Sequence, residues 1–305
     1  MPEQISKRFS RKSIIILVVV LTIVLIFTIA GIAAIFLGAK INSLTSKPNH
    51  ITVQKFPTPT PTPKKDEPFG MYALPSIPKK DVYIIFMVGD SMTEALGPHG
   101  GKLNEFINTL YQSTPGHQRV VIDNYAKGST NILGLQNVMT QKLVVGDAVL
   151  DPLLSRQFDL ILVESFGYNP LSGLGIERGL KKQTQTLDGL MKTLTMVHPH
   201  SAIVFVATIA PNKETYGLQE SPGNTLAERE AQAQERMAYI KNHMDYARSH
   251  NIPLIDIYDK SLTPSGDGDL SNINLNDHIH PSFKGIDFIS QEIANFIYDN
   301  QILPK

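Results

Sequence analysis

From Lys80 onward the chain alternates short apolar runs with stretches in which apolar residues recur every three or four positions. The runs near 82–88, 119–124, 158–164, 202–208 and 253–257 are largely continuous rather than alternating, the pattern of strands covered on both faces. Between them the spacing predicts helices. One includes Ala233, Met237, Ile240, Met244 and Ala247, and a last one carries Ile286, Ile289, Ile293, Phe296 and Ile297, each forming a single apolar stripe. Strands alternating with amphipathic helices predict an α/β fold with a doubly wound, parallel five-stranded sheet. No internal repeat and no Gly-rich phosphate loop stands out.

The first 40 residues follow a different pattern. Lys7, Arg8, Arg11 and Lys12 precede 27 residues without a charge, Ser13 to Ala39. As a helix these would extend about 40 Å, enough to cross a hydrocarbon core of roughly 30 Å with some tilt. The run is about twice the length of a secretory h-region, so an uncleaved transmembrane signal anchor is expected over residues 13–39. With the basic residues ahead of it, residues 1–12 form a cytoplasmic tail and the remainder is exported, a single-pass cell-membrane arrangement. Residues 40–79 read as an extracytoplasmic linker. Phe56–Pro63 alternates proline with threonine, favours an extended polyproline II path and has nothing to bury. Residues 80–305 remain as one domain.

Composition narrows the partners. Lys plus Arg equals Asp plus Glu at 28 each, so no global field recruits nucleic acid. There is no cysteine, hence neither disulfides nor thiolate metal sites, and the exported domain relies on its core.

The chemistry concentrates where strands end. The first apolar run stops abruptly at Gly89-Asp90-Ser91, which puts a hydroxyl at the C-terminal edge of the sheet, where open α/β sheets hold their ligands. Ser91 is the candidate nucleophile. A serine needs a base, an orienting acid and oxyanion donors. Asn276-Asp277-His278-Ile279-His280-Pro281 lies just before the last helix. Asp277, three positions ahead of His280, is close enough on one tight loop to fix the imidazole tautomer that accepts the serine proton. Gly128 follows the second strand and offers a bare N–H; Asn169 follows the third and offers a side-chain amide. Taken singly, each residue also fits a plainer role. Gly128 suits a turn, Asn169 before Pro170 starts one, and either histidine can pack or cap a helix. Asp277, His278 and His280 also suit a metal, but no second ligand cluster accompanies them. Loops 211–224 and 260–275 are expected to frame the pocket, Asp267 and Asp269 forming a solvated turn.

Taken together, Gly89-Asp90-Ser91, Gly128, Gly167-x-Asn169 and Asp277-x-x-His280 resemble the blocks of the SGNH hydrolases, the GDSL esterase and lipase family, over roughly residues 80–305. The resemblance implies a flavodoxin-like three-layer α/β/α sandwich, a covalent acyl-serine intermediate and no cofactor or metal. It also implies a triad of Ser91, His280 and Asp277, with an oxyanion hole formed by the Ser91 N–H, the Gly128 N–H and the Asn169 amide. Two positions depart from the family pattern. Pro170 stands where an acid often follows the asparagine, and Ala95 where a glycine often follows Thr-Glu. The expected function is an extracytoplasmic serine ester hydrolase acting on acyl esters, with O-acetyl or other short acyl groups of an acetylated polysaccharide or peptidoglycan favoured by its location. An O-acyltransferase using a sugar acceptor and a catalytically inactive binding module of the same fold are the alternatives.

Overall fold

A computed structural model describes residues 68–145 and 148–305. The chain runs β1 (Val82–Val88), α1 (Ser91–Glu94), α2 (Gly101–Gln112), β2 (Arg119–Asn124), α3 (Leu135–Thr140), β3 (Leu143–Val145) and β4 (Ala148–Leu150). It continues with β5 (Leu160–Glu164), α4 (Ile176–Val197), β6 (Ala202–Ala207), α5 (Leu226–Ser249), β7 (Leu254–Asp256), α6 (Ile257–Lys260) and α7 (Phe283–Asp299). Five strands form a parallel sheet in the order β2-β1-β5-β6-β7. The sheet winds outward in opposite directions from β1, so a crevice opens between the ends of β1 and β5 where the strand order reverses. The expected α/β architecture and parallel five-stranded sheet are present. Strands three to five are one to two residues shorter than expected, and the short antiparallel β3–β4 ribbon was not foreseen.

Pleating distributes the strand residues between two cores. Tyr83, Ile85 and Met87 of β1 pack with Leu103 and Ile107 of α2 and Ile293 and Ile297 of α7. Phe86 and Val88 point the other way, toward Leu187, Leu190 and Leu194 of α4. Three layers result. The predicted stripe of α5 is in place, with Ala233, Ile240, Met244 and Ala247 buried and Met237 packed alongside; the predicted stripe of α7 is likewise seated. Local chemistry starts both helices. Thr225 and Glu228 form a reciprocal capping box for α5, and Ser282 accepts the Gly285 N–H at 3.0 Å to start α7. A Cβ on Gly285 would stand 2.1 Å from the Asn272 carbonyl oxygen, so only glycine lets α7 approach this close.

The C-terminal segment closes on β1 and α2. The Tyr111 hydroxyl donates to the Leu303 carbonyl at 2.8 Å and the Tyr83 hydroxyl to the Pro304 carbonyl at 3.0 Å. Part of the expected linker also belongs to the domain. Tyr72 and Ile77 are buried, and the Tyr72 N–H donates to the His250 carbonyl at 2.7 Å, because this stretch supplies the apolar side chains that the Pro-Thr tract lacks. No helix among the described residues is long and apolar enough to cross a membrane. The tail 1–12, the expected span 13–39 and linker residues 40–67 lie outside the described residues.

Candidate active site

The Gly89-Asp90-Ser91 turn leaves β1 and enters α1 at the reversal point of the sheet. Gly89 is dictated by space, since a Cβ there would meet Thr93 Oγ1 at 2.4 Å and Glu164 Cβ at 2.9 Å. Asp90 is fully buried and caps α1, its Oδ1 accepting the Met92 N–H at 2.9 Å. This cap fixes Ser91, half-buried, as the first residue of the helix.

On the facing loop, Asp277 organises both backbone and ring. Its Oδ1 accepts the N–H groups of Ile279 (2.8 Å) and His280 (2.9 Å), while Oδ2 lies 3.0 Å from His280 Nδ1. The carboxylate only accepts, so Nδ1 carries the proton and Nε2 keeps its lone pair. Burial pushes the Asp277 pKa up, but the two N–H groups and the ring outweigh it, and the net shift is downward. The loop is closed by the Asn274 N–H donating to the His280 carbonyl and the His278 N–H to the Asn274 carbonyl, each at 2.8 Å.

The two expected amide donors sit beside that turn, and both are engaged. A Cβ on Gly128 would stand 3.7 Å from Ser91 Cβ, and the Gly128 N–H donates at 2.8 Å to Oε2 of Glu94, one helical turn after the serine. Burial raises the Asp90 pKa overall, against the Met92 N–H, the Asn169 amide and the Tyr168 backbone, which favour its charged form; no group reaches full hydrogen-bond geometry on Asp90 Oδ2. Loop 211–224, which follows β6 at the C-terminal edge of the sheet, reaches the Asp277–His280 loop, the Gly217 N–H meeting the His278 carbonyl at 3.4 Å. Loop 260–275 is tied to it in turn. Asp267 accepts the Lys213 N–H at 2.8 Å and Asp269 caps Ser271, so both carboxylates serve the backbone.

A family model for GDSL-like lipases and acylhydrolases matches residues 85–293, more than half of the chain, from within β1 to within α7. The chain belongs to this family. The acylhydrolase shares its fold with a GDSL-like lipase from Parabacteroides merdae, at 14% identity over 75% of this chain and 100% of that one, TM-score 0.51. A lipase/acylhydrolase from Enterococcus faecalis aligns at 15% identity over 72% of this chain and 96% of that one, TM-score 0.47. An acetylxylan esterase from Geobacillus stearothermophilus aligns at 14% identity over 70% and 94%, TM-score 0.46. A comparison with curated protein sequences finds no match.

Three acids of the acylhydrolase have placements the sequence reading did not assign: Glu94 on the Gly128 N–H, and Asp90 with Glu164 buried under the Gly89–Ser91 turn. Glu164 had a visible signal. It is a carboxyl closing an otherwise apolar strand at the ligand-bearing edge of the sheet.

Proposed function

We propose that this acylhydrolase is a membrane-anchored, extracytoplasmic serine esterase that removes O-acetyl or other short acyl groups from cell-envelope glycans. One observation supports the catalytic reading: the Asp277–His280 pair, preset in the tautomer a general base needs, on a loop that meets the segment following β6 at the end of the sheet where the Ser91 turn also lies. In the reaction, His280 Nε2 takes the Ser91 Oγ proton as Oγ bonds to the acyl carbon. The tetrahedral oxyanion is held by the N–H groups of Ser91 and Gly128 and the Asn169 amide. Collapse breaks the ester C–O bond, and the imidazolium returns its proton to the departing alcohol oxygen. Water then attacks the acyl-serine with His280 again as base, releasing the acid and restoring the hydroxyl. The oxyanion displaces the Glu94 carboxylate from the Gly128 N–H.

The location rests on Lys7, Arg8, Arg11 and Lys12 ahead of the uncharged run 13–39. Esters displayed on an envelope polymer are the acyl groups within reach of an enzyme tethered there. The deciding measurement is hydrolysis of p-nitrophenyl acetate and of acetylated peptidoglycan by the full chain. Ser91→Ala and His280→Ala are each expected to lower kcat by at least about 10³-fold. Full activity in either variant would refute the triad.

A further inference from the structure

Glu164 has no part in the chemistry above, yet it is tied to both turns that carry that chemistry. It is 2% exposed, and Asp90 beside it is 0% exposed. Glu164 Oε2 accepts the Phe166 N–H at 3.0 Å and the Asp90 N–H at 3.4 Å. Its Oε1 pairs with the Ser165 hydroxyl, whose oxygen accepts the Gly167 N–H at 3.2 Å. Phe166 adopts φ +53°, a left-handed conformation costly for a non-glycine residue, so the corner between β5 and Asn169 needs holding. On the other side the Glu164 Cβ leaves no room for a side chain on Gly89.

We propose that Glu164 is a positioning residue: its buried carboxyl clamps the Gly89–Ser91 turn to the Ser165–Asn169 turn, and so sets where the nucleophile stands relative to the amide donor. The proposal rests on the serine-esterase reading of the site.

The surroundings fix how the clamp works. Met92 and Thr93 of α1, Val206 and Thr208 at the end of β6, and Ile289 and Ile293 of α7 line the small cavity beside it, and none is charged. The titratable groups in reach are Asp90, Tyr168, whose phenol burial keeps protonated, and His280, which acts on Asp90 from the facing loop. Two carboxyls cannot both ionise in such a place. Burial raises the Asp90 pKa, but the Met92 N–H, the Asn169 amide, the Tyr168 backbone and His280 all favour its anion. Burial first, and the Asp90 charge second, push Glu164 up to about 8. At neutral pH Glu164 therefore keeps its proton and makes the same contacts a glutamine would. Above that range a second anion appears beside Asp90, and repulsion opens the clamp.

The test compares wild type, Glu164→Gln and Glu164→Ala in the full chain from pH 6 to 10, reading kcat, KM and the rate of fluorophosphonate labelling at Ser91. Wild type is expected to lose kcat, with KM steady, as pH rises through about 8. Glu164→Gln is expected to keep the neutral-pH kcat within about twofold and to extend the plateau upward by roughly a pH unit or more. Glu164→Ala is expected to lose kcat by on the order of 10²-fold at every pH with little change in KM, the cost of a misplaced nucleophile. Thermal unfolding in a Ser91→Ala background gives an independent reading. The folded state binds this proton more tightly than the unfolded one, so stability is full below the ordinary carboxyl range and is lost as pH rises through about 8, a loss that Glu164→Gln abolishes. If Ser91 is labelled but Glu164→Gln retains the wild-type alkaline fall, the clamp is refuted while the esterase reading stands. If Ser91 is never labelled, both are refuted. Should Glu164→Ala fail to fold, the Glu164→Gln profile decides.

Discussion

Asp277 uses one carboxylate oxygen for the backbone and the other for the His280 ring, so a single residue shapes the loop and sets the tautomer. Its lowered pKa contributes stability above the unfolded value, lost as pH falls through the folded one. In the proposed reaction Asp277→Asn removes the anion opposite the imidazolium; kcat should fall by about 10⁴-fold while KM holds, measured on p-nitrophenyl acetate. Glu94 acts in the opposite sense. Its carboxylate competes with the reacting oxyanion for the Gly128 N–H, so Glu94→Ala should raise kcat/KM for a small ester by roughly tenfold, the worth of one charge-assisted hydrogen bond. A fall in kcat/KM would instead make Glu94 a brace for the Gly128 loop. Among single residues, Ser91, Gly128, Asn169, Asp277 and His280 stand out in the sequence as candidates because each sits where an apolar pattern breaks at a strand end or before a helix. Glu94 does not, since a carboxylate one turn into a helix reads as solvent-facing until tertiary packing shows what surrounds it; Glu164 leaves only its position at the end of an apolar strand.

At the scale of elements, the strands are legible because both faces of the sheet are covered and their apolar runs are unbroken. The β3–β4 ribbon escapes because three-residue strands leave too little alternation to read. Helix α5 shows a subtler gap. Beside its aliphatic stripe it buries Tyr239, His243 and Tyr246, a second row that hydropathy does not mark. His243 is fully buried with its ring stacked on Phe205, centroids 4.3 Å apart, and burial drives its pKa down to about 3 despite the nearby Val163 backbone. The unfolded chain protonates this ring below about 6.5 and the folded one does not, so stability drains away as pH falls from 6.5 toward 3. His243→Phe should fold and show a smaller loss of Tm between pH 6.5 and 4 than wild type. Parallel losses in the two proteins would clear His243 of that role.

At the scale of the whole molecule, the proposed anchor and tether make one joint prediction. The full chain should sediment with membranes and resist extraction by salt, and protease acting from outside on residues 40–67 should release esterase activity in soluble form. Activity that stays in the soluble fraction without proteolysis would remove the anchor. The fold adds an order in time. The strand that presents Ser91 is fastened through Tyr83, and its neighbouring helix through Tyr111, to carbonyls more than 190 residues later. A chain leaving the ribosome makes those fastenings last of all, so the fold that carries Ser91 and His280 is sealed only once the final few residues are in place.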